Sequence, residues 1–190
     1  FSIYEWLICI MSSSIKIGFT ALFFSLTFEA VLIFFFKESD FQLGFFSFAF
    51  HSLNLMLFIL FAVIFKNPII SRVKNFKKGL TISFIFSFFI SFYFFSYHKW
   101  INPSFLIDKR NKLTEMTFSK KMAEKANDQI LQNPDYYKGK TADDLIEIQQ
   151  ENISEFLKPS KVFPLSLFVF LLIGVTFSGV LSFLNYFLNK

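Results

Sequence analysis

The chain has 190 residues, of which 54% are apolar and only 17% charged, with a net charge of +5 and 33 phenylalanines. A soluble domain is usually about a quarter charged, so the deficit argues against an ordinary globular enzyme. High hydrophobicity excludes disorder, and the basic balance falls between long apolar runs, which points to a membrane rather than to nucleic acid.

Residues 1–14 are a short apolar piece interrupted by Glu5 and by Ser12-Ser13-Ser14. It is too short to span a bilayer and reads as an interfacial helix or a lead-in to the first span. The chain opens on Phe1 rather than Met, which leaves room for residues upstream. No clear basic stretch or small-residue cleavage site marks a signal peptide, so targeting is expected to rest on the first span.

Four longer apolar runs follow, at 17–36, 43–65, 80–97 and 162–188. A helix needs about 20 mostly apolar residues to cross a hydrocarbon core of about 30 Å. In lipid each backbone polar group must be satisfied internally, which favours helices, and the alternation of a membrane barrel is absent. The expected fold is all-α: an integral membrane four-helix bundle with an extramembrane charged helical hairpin between spans three and four. Residues 1–97 hold the N-terminal segment and three spans, 98–161 the insert, and 162–190 the last span.

The polar residues of the spans recur at helical spacing. Gly18, Ser25 and Glu29 fall near one face of the first span, and Gly44, Ser47, His51 and Asn54 near one face of the second. Ser83, Ser87 and Ser91 are four apart in the third, as are Gly174, Ser178 and Ser182 in the fourth. Such spacing lines one side of a helix. Small residues allow close approach, and hydroxyls can bond across the contact. The stripes are expected to face inward, with most Phe side chains facing lipid or filling gaps.

A carboxylate in mid-membrane costs at least about 2.5 kcal/mol and so faces a partner or a wet cavity. Depth counting at about 1.5 Å per residue puts Glu29, His51 and Ser91 in one layer, with Asn54 a turn deeper. The short connection between the first two spans makes them antiparallel neighbours, so a Glu29–His51 pair is geometrically easy. Three readings stand: a structural hydrogen bond, a contact to a partner or lipid, and a proton relay. A Ser91–His51–Glu29 triad lacks any visible oxyanion element.

The connection at 66–79 carries Lys66, Arg72, Lys74, Lys77 and Lys78 and no acid. By the positive-inside rule it is cytoplasmic. Both termini are then inside and 98–161 outside, with Tyr97 and Trp100 as interfacial anchors. The five cations also form a candidate site for anionic lipid headgroups or a partner.

The insert holds 11 Lys/Arg and 10 Asp/Glu. Asn102-Pro103 predicts a helix start and Asn133-Pro134 its stop near Gln132, with Gly139 in the turn. Thr141 and Asp144 make a capping-box-like start for a second helix. Along it Leu145, Ile148, Asn152 and Phe156 recur on one side, flanked by Ile153 and Leu157. The stripe packs on the other helix or on the membrane, or docks a partner.

No phosphate loop, zinc-protease motif or serine elbow is present, and the single cysteine, Cys9, excludes a thiolate zinc cluster. No catalytic residue, metal or cofactor is expected.

Phe76-Lys77-Lys78-Gly79-Leu80 opens a Ser/Phe-rich span leading through Tyr97 and Trp100 to Ile101-Asn102-Pro103, a charged insert, and a last span with Gly174 and Gly179. In this order of features the chain resembles a family of small four-helix bacterial inner-membrane proteins known only as a domain of unknown function. The resemblance implies a multi-pass protein of the bacterial inner membrane and supplies no catalytic residues. It also implies an accessory role beside lipid-linked glycosyltransferases in envelope glycan assembly. The expected function is a non-enzymatic accessory or scaffold subunit of a membrane complex, with the lipid bilayer and protein subunits as partners. The alternatives are a small proton-coupled transporter using Glu29 and His51, and a glycosyltransferase auxiliary subunit contacting its enzyme through the basic connection.

Overall fold

The computed structural model describes residues 3–35, 41–65 and 71–188. Among them every regular element is helical: α1 (Ile3–Phe35), α2 (Phe41–Leu60), α3 (Arg72–Ser96), α4 (Pro103–Thr117), α5 (Lys120–Gln132), α6 (Ala142–Phe156) and α7 (Pro159–Leu188). Single π turns, Phe61–Phe65 and Tyr97–Ile101, extend α2 and α3. Four helices are long and apolar enough to cross a membrane: Ser13–Phe35, Phe46–Phe65, Arg72–Ile101 and Pro159–Phe187.

The first helix is continuous from Ile3 through Ser12-Ser13-Ser14, as a lead-in to the first span requires. One boundary differs from expectation: the third long helix begins at Arg72 rather than near residue 80. Lys and Arg are good helix formers, and Asn75 N–H already bonds to Ser71 O at 3.1 Å. The basic stretch is therefore the first two turns of a helix, not a loop.

The chain divides into two compact units, residues 1–94 with 163–190, and residues 95–162. In the first, the helices run up, down, up, down. α1 lies antiparallel to α2, since Glu29 meets His51 and Ala21 meets Asn54. α3 lies antiparallel to α7: Gly79 faces Ser178 and Ser83 faces Gly174. α2 also touches α7, through Phe48 on Phe170 and Asn185 on the Val63 carbonyl. The core is Ala21, Leu55, Ile59, Val63, Ile82, Phe86, Ile90 and Phe170. Phenylalanines dominate the outside; Phe34 is 83% exposed, and Phe23, Phe46, Phe84 and Phe168 are also exposed. That is the inverse of a water-soluble fold and fits a lipid solvent.

The α3–α7 contact is reciprocal. A Cβ placed on Gly79 would lie 2.6 Å from Ser178 Cβ, and one placed on Gly174 would collide with the Ser83 side chain. Each serine fills the notch left by the other helix's glycine. Both hydroxyls donate to their own helix, Ser83 to Gly79 O and Ser178 to Gly174 O, at 2.7 and 2.6 Å. Ser182 does the same with Ser178 O. Hydroxyls can bond across such a contact, but these are satisfied at i−4, which hides their polarity and keeps the side chain compact.

In the second unit α6 packs against both α4 and α5. A single helix was expected from Asn102 to Gln132, but it breaks at Phe118-Ser119 into α4 and α5. Ser119 adopts an extended conformation, which re-aims the chain so that two helices cover one face of α6. Asn102 caps α4, accepting from Phe105 N–H at 3.3 Å, with Pro103 at the first position. Thr141 and Asp144 form a capping box on α6. Gly139 turns with φ +81°, a conformation that favours glycine. The stripe of α6 divides: Leu145, Ile153 and Leu157 are part-buried, as is Ile146, which lay outside the stripe, whereas Ile148, Asn152 and Phe156 are exposed. Spacing alone could not separate two faces that lie so close on the helix.

Candidate functional site

The inward stripe of α1 and α2 builds the site. Glu29 is 7% exposed and His51 fully buried. His51 Nε2 lies 2.7 Å from Glu29 Oε1, and the Ser47 hydroxyl donates to the same oxygen. One α-helical turn separates Ser47 from His51, so both side chains project toward the carboxylate. Asn54, the next polar residue along that face, donates from Nδ2 to Ala21 O and to Ser25 Oγ, each at 2.7 Å. These bonds tie α1 to α2 over two successive turns.

Aromatic rings wall the imidazole. Phe94 lies 5.4 Å away, Phe50 6.0 Å, and Phe28 and Phe170 6.4 Å, each close to edge-on. In such surroundings an ion pair or a shared proton is poorly screened. His51 Nδ1 has no hydrogen-bond partner among the described residues, and neither do Ser87 Oγ and Ser91 Oγ. Ser83, Ser87 and Ser91 are fully buried, as is Ser178, with Ser182 nearly so. Ser91 is thus inside the bundle, but no hydrogen bond joins it to the Glu29–His51 pair.

Of the five basic residues of the candidate site, four lie among the described residues, all on α3. Lys66 lies outside the described residues. The Arg72 guanidinium sits over Tyr186 at 3.9 Å, with Phe183 and Phe187 at 5.0 and 5.4 Å. Lys78 is buried, and Lys74 and Lys77 are exposed. The aromatic cradle of Arg72 was missed by sequence reasoning. Its rings recur at 183, 186 and 187 on α7, a helical signal, but nothing in the sequence shows which cation they receive. Asn75 and Asn185, both buried and not singled out beforehand, belong to the same end of the bundle; Asn185 Nδ2 donates to Val63 O at 3.4 Å.

In residues 95–162, Lys99 lies over the rings of Phe95 and Trp100 at 5.1 and 5.3 Å. Partial burial lowers the Lys109 ammonium below its usual range. Thr141 N–H, then its hydroxyl, holds the Asp144 carboxyl below the ordinary range. Lys158, seconded by Lys161, does the same for Glu155. An open groove of about 520 Å³ runs between α4 and α6, lined by Arg110, Thr114, Glu115, Gln150 and Glu151 among others. Among the described residues no three His, Cys, Asp or Glu side chains group closely enough to hold a metal ion.

Compared with protein-family models, curated proteins and solved structures, the chain matches none.

Proposed function

We propose that this chain is a non-enzymatic multi-pass protein of a bacterial inner membrane, serving as an accessory or scaffold subunit of a larger membrane complex. Glu29, Ser47 and His51 bond one another, as do Ser25 and Asn54, and Ser83, Ser178 and Ser182 bond their own helix carbonyls, which is the kind of satisfaction a structural bundle requires. The observation that carries the reading is the exposed side of α6. Ile148 is 39% and Phe156 57% exposed, eight residues apart on one face with Asn152 between them. A helical face of that kind suits a partner helix laid along it, with anchors at i, i+4 and i+8.

Orientation belongs to the same proposal. Arg72, Lys74, Lys77 and Lys78 open α3, and short basic segments stay in the cytoplasm. Four crossings then put both termini inside, residues 98–161 outside, and Glu29 and His51 in the outer half of the bilayer.

The test is affinity purification of the tagged full chain from native membranes after cross-linking, beside the double variant Ile148→Ser, Phe156→Ser. A partner captured by the wild type and reduced at least about ten-fold in the variant, with unchanged expression and melting, is the expected result; losing the burial of two half-exposed apolar anchors, at about 1 kcal/mol each, reaches that factor. Equal capture by both proteins overturns the reading, as does a lone monomer from the wild type.

A further inference from the structure

His51 is fully buried, yet only one of its ring nitrogens is used. Nε2 faces Glu29 Oε1 at 2.7 Å, and Nδ1 has no partner among the described residues. A stranded polar atom in an apolar interior is destabilising. A structural bond to Glu29 needs one nitrogen only, and a glutamine amide in place of the ring could donate it. The second nitrogen therefore calls for a purpose other than packing.

Charge counting supplies one. Among the described residues, Glu29 and Phe28 from α1, Phe50 from α2, Phe94 from α3 and Phe170 from α7 face the ring. Glu29 is the one charged or titratable group of that set. With the carboxylate ionised and the imidazole neutral, the pair carries a net charge of −1. A proton on the Nδ1 lone pair makes an imidazolium, and the pair becomes neutral. Only an N–H bond forms or breaks, and the proton comes from and returns to water. The Ser47 hydroxyl, donating to the same carboxylate oxygen, holds Glu29 in place in both states. A ring nitrogen backed by a carboxylate on the opposite nitrogen is the arrangement that orients an imidazole for proton exchange.

We propose that Glu29 and His51 form a proton-binding site inside the membrane-spanning bundle, with His51 Nδ1 as the atom that gains and loses the proton and Glu29 as its counter-charge. The site goes beyond the scaffold reading and is tested without it.

The chain has two histidines, so uniform ¹⁵N-histidine labelling gives two ring systems. The full chain is reconstituted in phosphatidylethanolamine–phosphatidylglycerol vesicles, and His98→Gln identifies the His51 signals; His51→Gln identifies them by subtraction should the first variant misbehave. Between about pH 5 and about pH 9, Nδ1 is expected to pass between the bare and protonated positions while Nε2 stays protonated. Glu29→Gln is expected to move the midpoint by at least about one pH unit, a ten-fold change in proton affinity. A constant Nδ1 signal over that range, or a smaller move, overturns the proposal. If Glu29→Gln does not assemble, Glu29→Asp is read in its place, a moved midpoint supporting the site and an unmoved one overturning it. A merely structural hydrogen bond gives no pH-dependent Nδ1 signal.

Discussion

Glu29 is the only acidic residue between Glu5 and Glu38, and the structure answers it with a histidine and a serine. The pairing with His51 was legible in the sequence, because a short connection and equal depth leave few alternatives. The Ser47 bond was not: the residue was on the right stripe, but a hydroxyl in lipid more often turns back on its own helix, as Thr20, Thr27, Ser52 and Thr81 do. Asp144 carries a prediction of its own. Its carboxyl is held low by Thr141, so its contribution is present above the ordinary carboxylate value of about 3.9 and is lost as pH falls through the lowered one. The protection factors of the Asp144 and Leu145 amides should fall in that acid range, and Asp144→Ala should show the low protection at every pH. Thr141→Ala should reduce protection about five-fold, the worth of an N-cap.

At the scale of elements, periodicity located the four long helices but not their exact partners. Ser83, Gly174 and Ser178 stood out in small-residue stripes and Gly79 did not, and their reciprocal fit depends on α3 and α7 meeting in one register, which no local signal specifies. The break at Phe118-Ser119 was invisible for a different reason: it carries neither Gly nor Pro, and only the extended backbone of Ser119 marks it. The notch makes a sharp prediction. Gly174→Val forces a branched side chain against Ser83 and should destabilise the bundle by about 1–3 kcal/mol. Gly179→Val, whose added Cβ meets nothing within 4 Å, should stay within about 0.5 kcal/mol. Thermal melts in mild detergent compare the two; equal melting of both variants contradicts the notch.

For the whole molecule, composition and run length were sufficient for the all-helical class and four membrane-long helices, because lipid imposes its length requirement on the sequence directly. The cradle around Arg72 was not legible at any scale below this one, since it joins the start of one spanning helix to the end of another. The proposed orientation is open to a direct check. Cys9→Ser removes the only cysteine, after which Lys140→Cys should react with a membrane-impermeant maleimide on intact cells and Lys77→Cys only after permeabilisation. The reverse pattern inverts the topology.

The clasp between α3 and α7 has a consequence for how this chain can change. The two helices hold each other although residues 95–162 intervene, so to the bundle that stretch is a single long loop already closed. Closure entropy grows logarithmically, and doubling a loop's length adds only about 0.6 kcal/mol. As far as the bundle's stability goes, the helical module between them can therefore be lengthened or trimmed at little cost, while Gly79 and Gly174 have no comparable latitude.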